Sequence, residues 1–259
     1  MRRFGGQLAR GRVAVAIAVL CALALAGAPA AGAQGSRLAP EPPRREPVVL
    51  VPGWMGWPQS MDLLAGTFRS SGYPTYVVDQ NLPWLVDYLT FPSTNTALNG
   101  PKLAATVDRA LAETGAEQVD LVGYSYGGLV ARHYVKDMGG AAKVRRYVGI
   151  GVPQRGVTSA CGLPYEETGH LCPGTPFMLG LNQGDDTPGS TSYSNIWSEQ
   201  DTAATVALDG AVCVRHVAGV AHLAEPFSSA VAEEALARLN GACPAADLFA
   251  GTVPDSQGP

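Results

Sequence analysis

The residues most able to do chemistry sit in one short stretch, Gly123-Tyr124-Ser125-Tyr126-Gly127-Gly128. It follows the strand-like run Val119-Asp120-Leu121-Val122 and precedes a helix-like segment over 129–138. A serine between two glycines on a sharp strand-to-helix turn has its hydroxyl raised above the sheet edge, where it can act as a nucleophile. The turn forces the serine into a strained backbone conformation, and side chains at the flanking positions would strike the adjoining elements. Ser125 is therefore the expected nucleophile. The N–H of Tyr126, at the start of the helix, is expected to stabilise an oxyanion.

Such a serine needs a base, and the base needs an orienting acid. The chain has four histidines: His133, His170, His216 and His222. His222 lies in Gly219-Val220-Ala221-His222-Leu223, after the last strand-like run and before the last helix-like one, where a base loop belongs. His170, in a loop between two cysteines, is its rival. His216 falls inside an alternating strand pattern, and His133 reads as surface or packing. Asp201 follows the run Tyr193-Ser194-Asn195-Ile196-Trp197-Ser198 and is the expected acid, with Asp185, Asp186 and Asp209 as competitors. A second oxyanion donor is expected at the N–H of Trp54, after Val48-Val49-Leu50-Val51-Pro52-Gly53, although Trp54 and Trp57 also suit plain packing. Trp57, Tyr124 and Leu223 adjoin these residues and are expected to touch the substrate.

The elements that must position them alternate strand and helix. Strands are expected at 48–51, 75–79, 119–122, 146–152, 193–198 and 212–217, and helices at 60–70, 102–114, 129–138 and 226–239. Residues 81–99 read as a loop. The strands are short and mostly apolar, as in a parallel sheet covered on both faces. The order predicts an α/β fold, a mostly parallel sheet with helices on both faces in one domain. Residues 153–192, rich in Gly, Pro and Thr, form an irregular insertion, expected to line the substrate site. The tail from residue 245 reads as loose.

Residues 1–33 stand apart. Arg2, Arg3, Arg10 and Arg12 precede and flank an apolar run over 13–28, and Ala31-Gly32-Ala33 offers a small-residue cleavage site. This is the pattern of a signal peptide for export, with Arg2-Arg3 a twin-arginine hint, and residues 34–46 form an extended lead-in before a domain over 47–259. Without those four arginines, 14 of the 18 basic residues remain against 22 acidic ones, a net charge of −8. That balance disfavours nucleic acid and anionic lipid surfaces as partners. With 46% hydrophobic and 15% charged residues, the chain can build a sizeable core. Beyond Cys21 there are four cysteines, an even number that suits two disulfides in an exported chain. Three pairings are possible; Cys161–Cys172 and Cys213–Cys243 are favoured. No cysteine or histidine spacing suits zinc, so neither metal nor cofactor is expected.

The run from Asp120 to Gly128, then Gly149-Ile150-Gly151-Val152-Pro153, Asp185-Asp186-Thr187-Pro188-Gly189, residues 193–201 and Gly219-Val220-Ala221-His222-Leu223 resembles the small secreted bacterial class 2 lipases. The resemblance covers residues 47–240. It implies an α/β-hydrolase fold with little or no lid. It also implies Ser125, Asp201 and His222 as a triad, oxyanion donors at Trp54 and Tyr126, and hydrolysis of carboxylic esters without a cofactor. Pro52-Gly53 stands where that family often has His-Gly, and Tyr124 where many lipases have His.

The reading expected from these residues is a secreted, monomeric lipase or carboxylesterase acting on small-molecule or lipid esters. An acyltransferase with the same triad and an alcohol or sugar acceptor is the alternative. A non-catalytic binding protein would need a broken triad.

Overall fold

Four consecutive apolar residues, Val48–Val51, form β1, the second strand from one edge of the sheet, and all four are buried. Their side chains alternate between two cores. Val49 and Val51 face one cluster, with Leu121, Leu103, Val107 and Leu129. Val48 and Leu50 face the other, with Val122, Leu64, Phe68 and Val231. A strand apolar on both faces is stable only between two helical layers. The coordinates are those of a computed structural model and describe residues 45–54, 57–80, 96–165, 168–198 and 208–251.

The remaining strands are β2 (Thr75–Val77), β3 (Val119–Tyr124), β4 (Val144–Ile150), β5 (Ser192–Trp197), β6 (Gly210–His216) and β7 (Leu248–Gly251). The sheet order is β2-β1-β3-β4-β5-β6-β7. All pairs are parallel except β6 with β7. The helices are α1 (Asp62–Ser70), α2 (Thr96–Thr114), α3 (Tyr126–Asp137), α4 (Pro176–Asn182) and α5 (Ser229–Leu239). Leu103 and Val107 of α2 and Leu129 and Val130 of α3 cover one face. Leu64 and Phe68 of α1 and Val231 and Ala235 of α5 cover the other. The chain reverses direction across the sheet between β1 and β3. Ligands of open α/β sheets bind at such a switch point, beyond the carboxyl ends of the strands. Val51 pairs with Gly123, so the Pro52–Trp54 loop and Ser125 emerge side by side.

The expected mostly parallel sheet with helices on both faces is present. Four details differ from the sequence reading. The tail from 245 is not loose over its described part: residues 248–251 pair with Gly210–Cys213 and cover the edge of β6. Helix α2 begins at Thr96, not 102, and runs through Pro101. The insertion 153–192 contains α4 and two 3₁₀ turns, Thr158–Ala160 and Gly169–Leu171. The last helix is divided: a 3₁₀ turn spans His222–Phe227, and Ser228 then caps α5 by accepting from the Val231 N–H. Residues 81–95, the expected signal peptide and the lead-in up to residue 44 lie outside the described residues. The helix-to-sheet staple Cys213–Cys243 and the local bridge Cys161–Cys172 are both present.

Candidate active site

Among the described residues, Ser125 is the one non-glycine with positive φ, at φ 51° and ψ −126°. That conformation is costly for a residue with a Cβ and persists only where its surroundings impose it. They do so here. The Ser125 N–H donates to the Ile150 carbonyl at 2.7 Å, and the Ser125 carbonyl accepts from the Gly128 N–H at 3.0 Å. A Cβ at Gly127 would run into the Val51 and Pro52 carbonyl oxygens, so α3 can approach β1 only with glycine there. The turn thus fixes the Ser125 hydroxyl beside the Pro52–Trp54 loop.

His222 Nε2 lies 2.9 Å from Ser125 Oγ, within proton-transfer reach. The imidazole rides on the 3₁₀ turn after β6, and Tyr124 steadies it. The buried Tyr124 hydroxyl donates to the His222 carbonyl at 2.8 Å, and the two rings stand 5.3 Å apart. On the far side, Glu225 Oε2 lies 3.0 Å from His222 Nδ1. The Glu225 side chain is fully buried. The contact is within ion-pair distance, but the oxygen sits off the axis of the ring N–H and does not make an aligned hydrogen bond. Gly151, at φ 56°, leaves room for the pair: a Cβ there would strike Glu225 Oε2 and stand 2.8 Å from His222 Nδ1.

Asp201, the expected acid, lies outside the described residues. Its competitors are engaged elsewhere. Buried Asp186 binds Arg132 and Arg155 in an ionic cluster behind β5. Burial pushes the Arg132 guanidinium below its ordinary range, and the carboxylate of Asp186 opposes that shift. Asp185 Oδ1 accepts from the Thr187 N–H, closing a turn. Asp209 lies 3.7 Å from Arg155. Among the other histidines, exposed His216 stacks on Trp197 at 4.0 Å. His133 contacts Asp137 one helical turn on. Buried His170 packs edge-on against Tyr126 and Phe177.

A cavity of about 230 Å³ opens at Ser125. Trp54 and Tyr126 form one wall; Val157, Ala160, Leu163 and Leu171 form the other. The second wall belongs to the 153–192 insertion, on either side of the Cys161–Cys172 bridge. Tyr126 is the first residue of α3, and N–H groups of a first helical turn point out of the helix end. Trp57 and Leu223 are exposed. Among the described residues no group of three or more His, Cys, Asp and Glu side chains gathers to hold a metal ion.

Glu225 is the site residue that sequence reasoning missed. The signal was available in His222-Leu223-Ala224-Glu225-Pro226, an acid three positions after the base and followed by proline. One 3₁₀ turn has three residues, so that spacing returns the side chain to the same face.

The chain spans 36% of the length of the propeptide form of Bacillus licheniformis lipase BlEst2, with 22% identity over 60% of this chain and a TM-score of 0.48. Aspergillus fumigatus lipase B superposes at a TM-score of 0.54, with 18% identity, 68% of this chain and 45% of that one. The product of gene lin2722 from Listeria innocua superposes at 0.52, with 16% identity, 78% of this chain and 96% of that one. At these identities the likeness to the latter two is one of fold, and the fold shared is that of α/β-hydrolases. Residues 47–204, more than half of the chain, match the palmitoyl protein thioesterase family. The match takes in β1, the elbow and β5, and this chain belongs to the palmitoyl protein thioesterase family.

Proposed function

We propose that this protein hydrolyses carboxylic esters through an acyl-enzyme on Ser125, with His222 as base and Asp201 as its acid. The observation that carries this reading is the 2.9 Å approach of His222 Nε2 to the hydroxyl of a strained elbow serine at the mouth of an apolar cavity. In the acylation step Ser125 Oγ forms a bond to the ester carbonyl carbon and its proton passes to Nε2. The negative charge gathers on the carbonyl oxygen, facing the N–H groups of Tyr126 and Trp54. Collapse breaks the carbon–oxygen bond to the leaving alcohol, which takes the proton from Nε2. Water then repeats the sequence on the acyl-enzyme and releases the acid. No step draws on a metal or cofactor.

The apolar wall suits the acyl group. At about 230 Å³ the cavity is smaller than the ~300–1,000 Å³ of sites for drug-sized ligands. A short or medium acyl chain fits within it, and a longer one must run over the rim. Kinship with small secreted class 2 lipases rests on the motifs quoted above. Export rests on the pattern of residues 1–33 and is in keeping with two disulfides. No helix of the described residues is long and apolar enough to cross a membrane.

The family match favours a second substrate, a thioester. The same acyl-enzyme forms with a thiolate as leaving group. Transfer of the acyl group to an alcohol would use the same residues with a different acceptor. Purified protein should be assayed on p-nitrophenyl esters of graded chain length, on acyl thioesters, and with added alcohol. Release of p-nitrophenol together with labelling of Ser125 by a fluorophosphonate supports the proposal. No turnover and no label would refute it. Faster thioester cleavage would favour the second reading.

A further inference from the structure

We propose that Glu225 is a second carboxylate for His222, a positioning residue that holds the imidazole and balances its charge when it takes the Ser125 proton. The inference rests on the reading of Ser125 and His222 as nucleophile and base.

Three observations support it. First, Glu225 has no exposed surface, and among the described residues neither carboxylate oxygen has a hydrogen-bond partner. Burial of a carboxylate without compensation is strongly unfavourable, so its retention calls for a cationic or N–H partner. Second, the ionic contact recorded for Glu225 is with His222 Nδ1 at 3.0 Å. That nitrogen is the one left carrying its proton when Nε2 accepts from Ser125, and a small ring rotation would bring its N–H into line. Third, Gly151 keeps the space between β4 and the His222 turn open for both groups, and any side chain there would expel the carboxylate. The 3₁₀ turn carries base and acid as one rigid unit, closed by the Ala221 carbonyl accepting from the Ala224 N–H at 2.8 Å.

Other charged groups near this unit are turned to other partners. The turn packs against α1, α5 and the 3₁₀ turn Pro58–Met61. On α1, Arg69 donates to Thr75, and Asp62 is exposed. On α5, Arg238 pairs with Glu234 and Asp247, and Glu233 is exposed. Tyr124 from β3 directs its hydroxyl to the His222 carbonyl, away from Nδ1. Asp201, the acid proposed above, lies outside the described residues. In the acylation step Nε2 gains the proton that Oγ loses, and Nδ1 keeps its own. Glu225 then faces an imidazolium in place of a neutral ring.

The test compares wild type with Glu225→Gln and Asp201→Asn, singly and together, by the pH dependence of kcat/KM on a p-nitrophenyl ester. A neighbouring carboxylate stabilises the imidazolium and raises the pH at which the base becomes neutral. Glu225→Gln should therefore move the acidic limb down by about half a pH unit or more and lower kcat/KM about tenfold or more. Melting temperature controls for folding. An unchanged limb and rate in a folded, fluorophosphonate-reactive Glu225→Gln protein would overturn the inference while leaving the serine-hydrolase reading intact. Loss of turnover and label in wild type would instead overturn that reading. Should Glu225→Gln fail to fold, Asp201→Asn decides. Residual activity above about one hundredth of wild type supports a second carboxylate, because removal of a lone triad acid costs about 10⁴-fold. A fall to the Ser125→Ala background overturns it.

Discussion

Removing the Cys161–Cys172 bridge by a double Cys→Ser substitution should weaken both the fold and the selectivity of the cavity. The bridge joins residues 11 apart, just outside the turns Thr158–Ala160 and Gly169–Leu171. Its closed loop includes Leu163, Thr168 and Leu171, and Val157 and Ala160 lie immediately before it. For a loop of this length the chain-entropy relation gives about 9 cal/mol/K, or about 2.8 kcal/mol at 25 °C. In a domain of this size each kcal/mol shifts Tm by about 2–4 °C, so the variant should melt about 6–11 °C lower. The second consequence is local. With the loop unpinned, the wall facing Trp54 and Tyr126 gains alternative packings, and discrimination between short and medium acyl chains should flatten. Calorimetry gives the first quantity, and kcat/KM across p-nitrophenyl esters at a temperature where both proteins are folded gives the second. A Tm within about 1 °C of wild type would refute the entropic argument. An unchanged chain-length profile would show that the loop is a staple with no part in acyl binding.

Further outcomes follow from the same geometry. Ser125→Ala should abolish ester turnover and leave Tm unchanged or higher, since it removes the nucleophile without opening the core; retained turnover would sink the assignment. Gly127→Ala should push the Pro52–Trp54 loop off α3, where its Cβ meets the Val51 and Pro52 carbonyl oxygens, and lower kcat about 10²-fold if an oxyanion donor is displaced. A full-rate variant would mean that no donor lies there. Arg132→Met leaves buried Asp186 with the partly exposed Arg155 and the Asp209 N–H, and should cost about 3–5 kcal/mol in urea unfolding. His216→Ala, at an exposed ring stacked on Trp197, should leave the rate unchanged; a large loss would show that it, and not His222, is the base.

The elbow was legible in the sequence because its constraints are local. Strand, turn and helix adjoin, and the glycines exclude side chains from contacts only a few residues away, such as Gly123 against Gly128. His222 was legible from its place after β6, and the short buried strands from their unbroken apolar runs. What could not be read depends on distant partners. Glu225 looks like a surface acid until β4 and α1 close over it. Residues 248–251 look like a loose tail because nothing nearby shows that β6 presents a free edge to pair with. The helix expected from 102 begins at Thr96 instead, and the turn before Pro101 is held by contacts such as Asn99 Nδ2 donating to the Tyr126 hydroxyl.

That last strand has a practical consequence. Leu248–Gly251 lies antiparallel along Gly210–Cys213, on the flank of the sheet farthest from β2. Uncovered, that flank would offer a row of unpaired N–H and C=O groups to the same row on a second molecule, a template for ordered aggregation. A truncation placed after Cys243 would keep the disulfide, the elbow and the cavity, but should produce protein that self-associates with rising concentration. Affinity tags and fusion partners at this end are best joined beyond Gly251, and a preparation that loses its tail to proteolysis is expected to precipitate while its active sites still accept a fluorophosphonate.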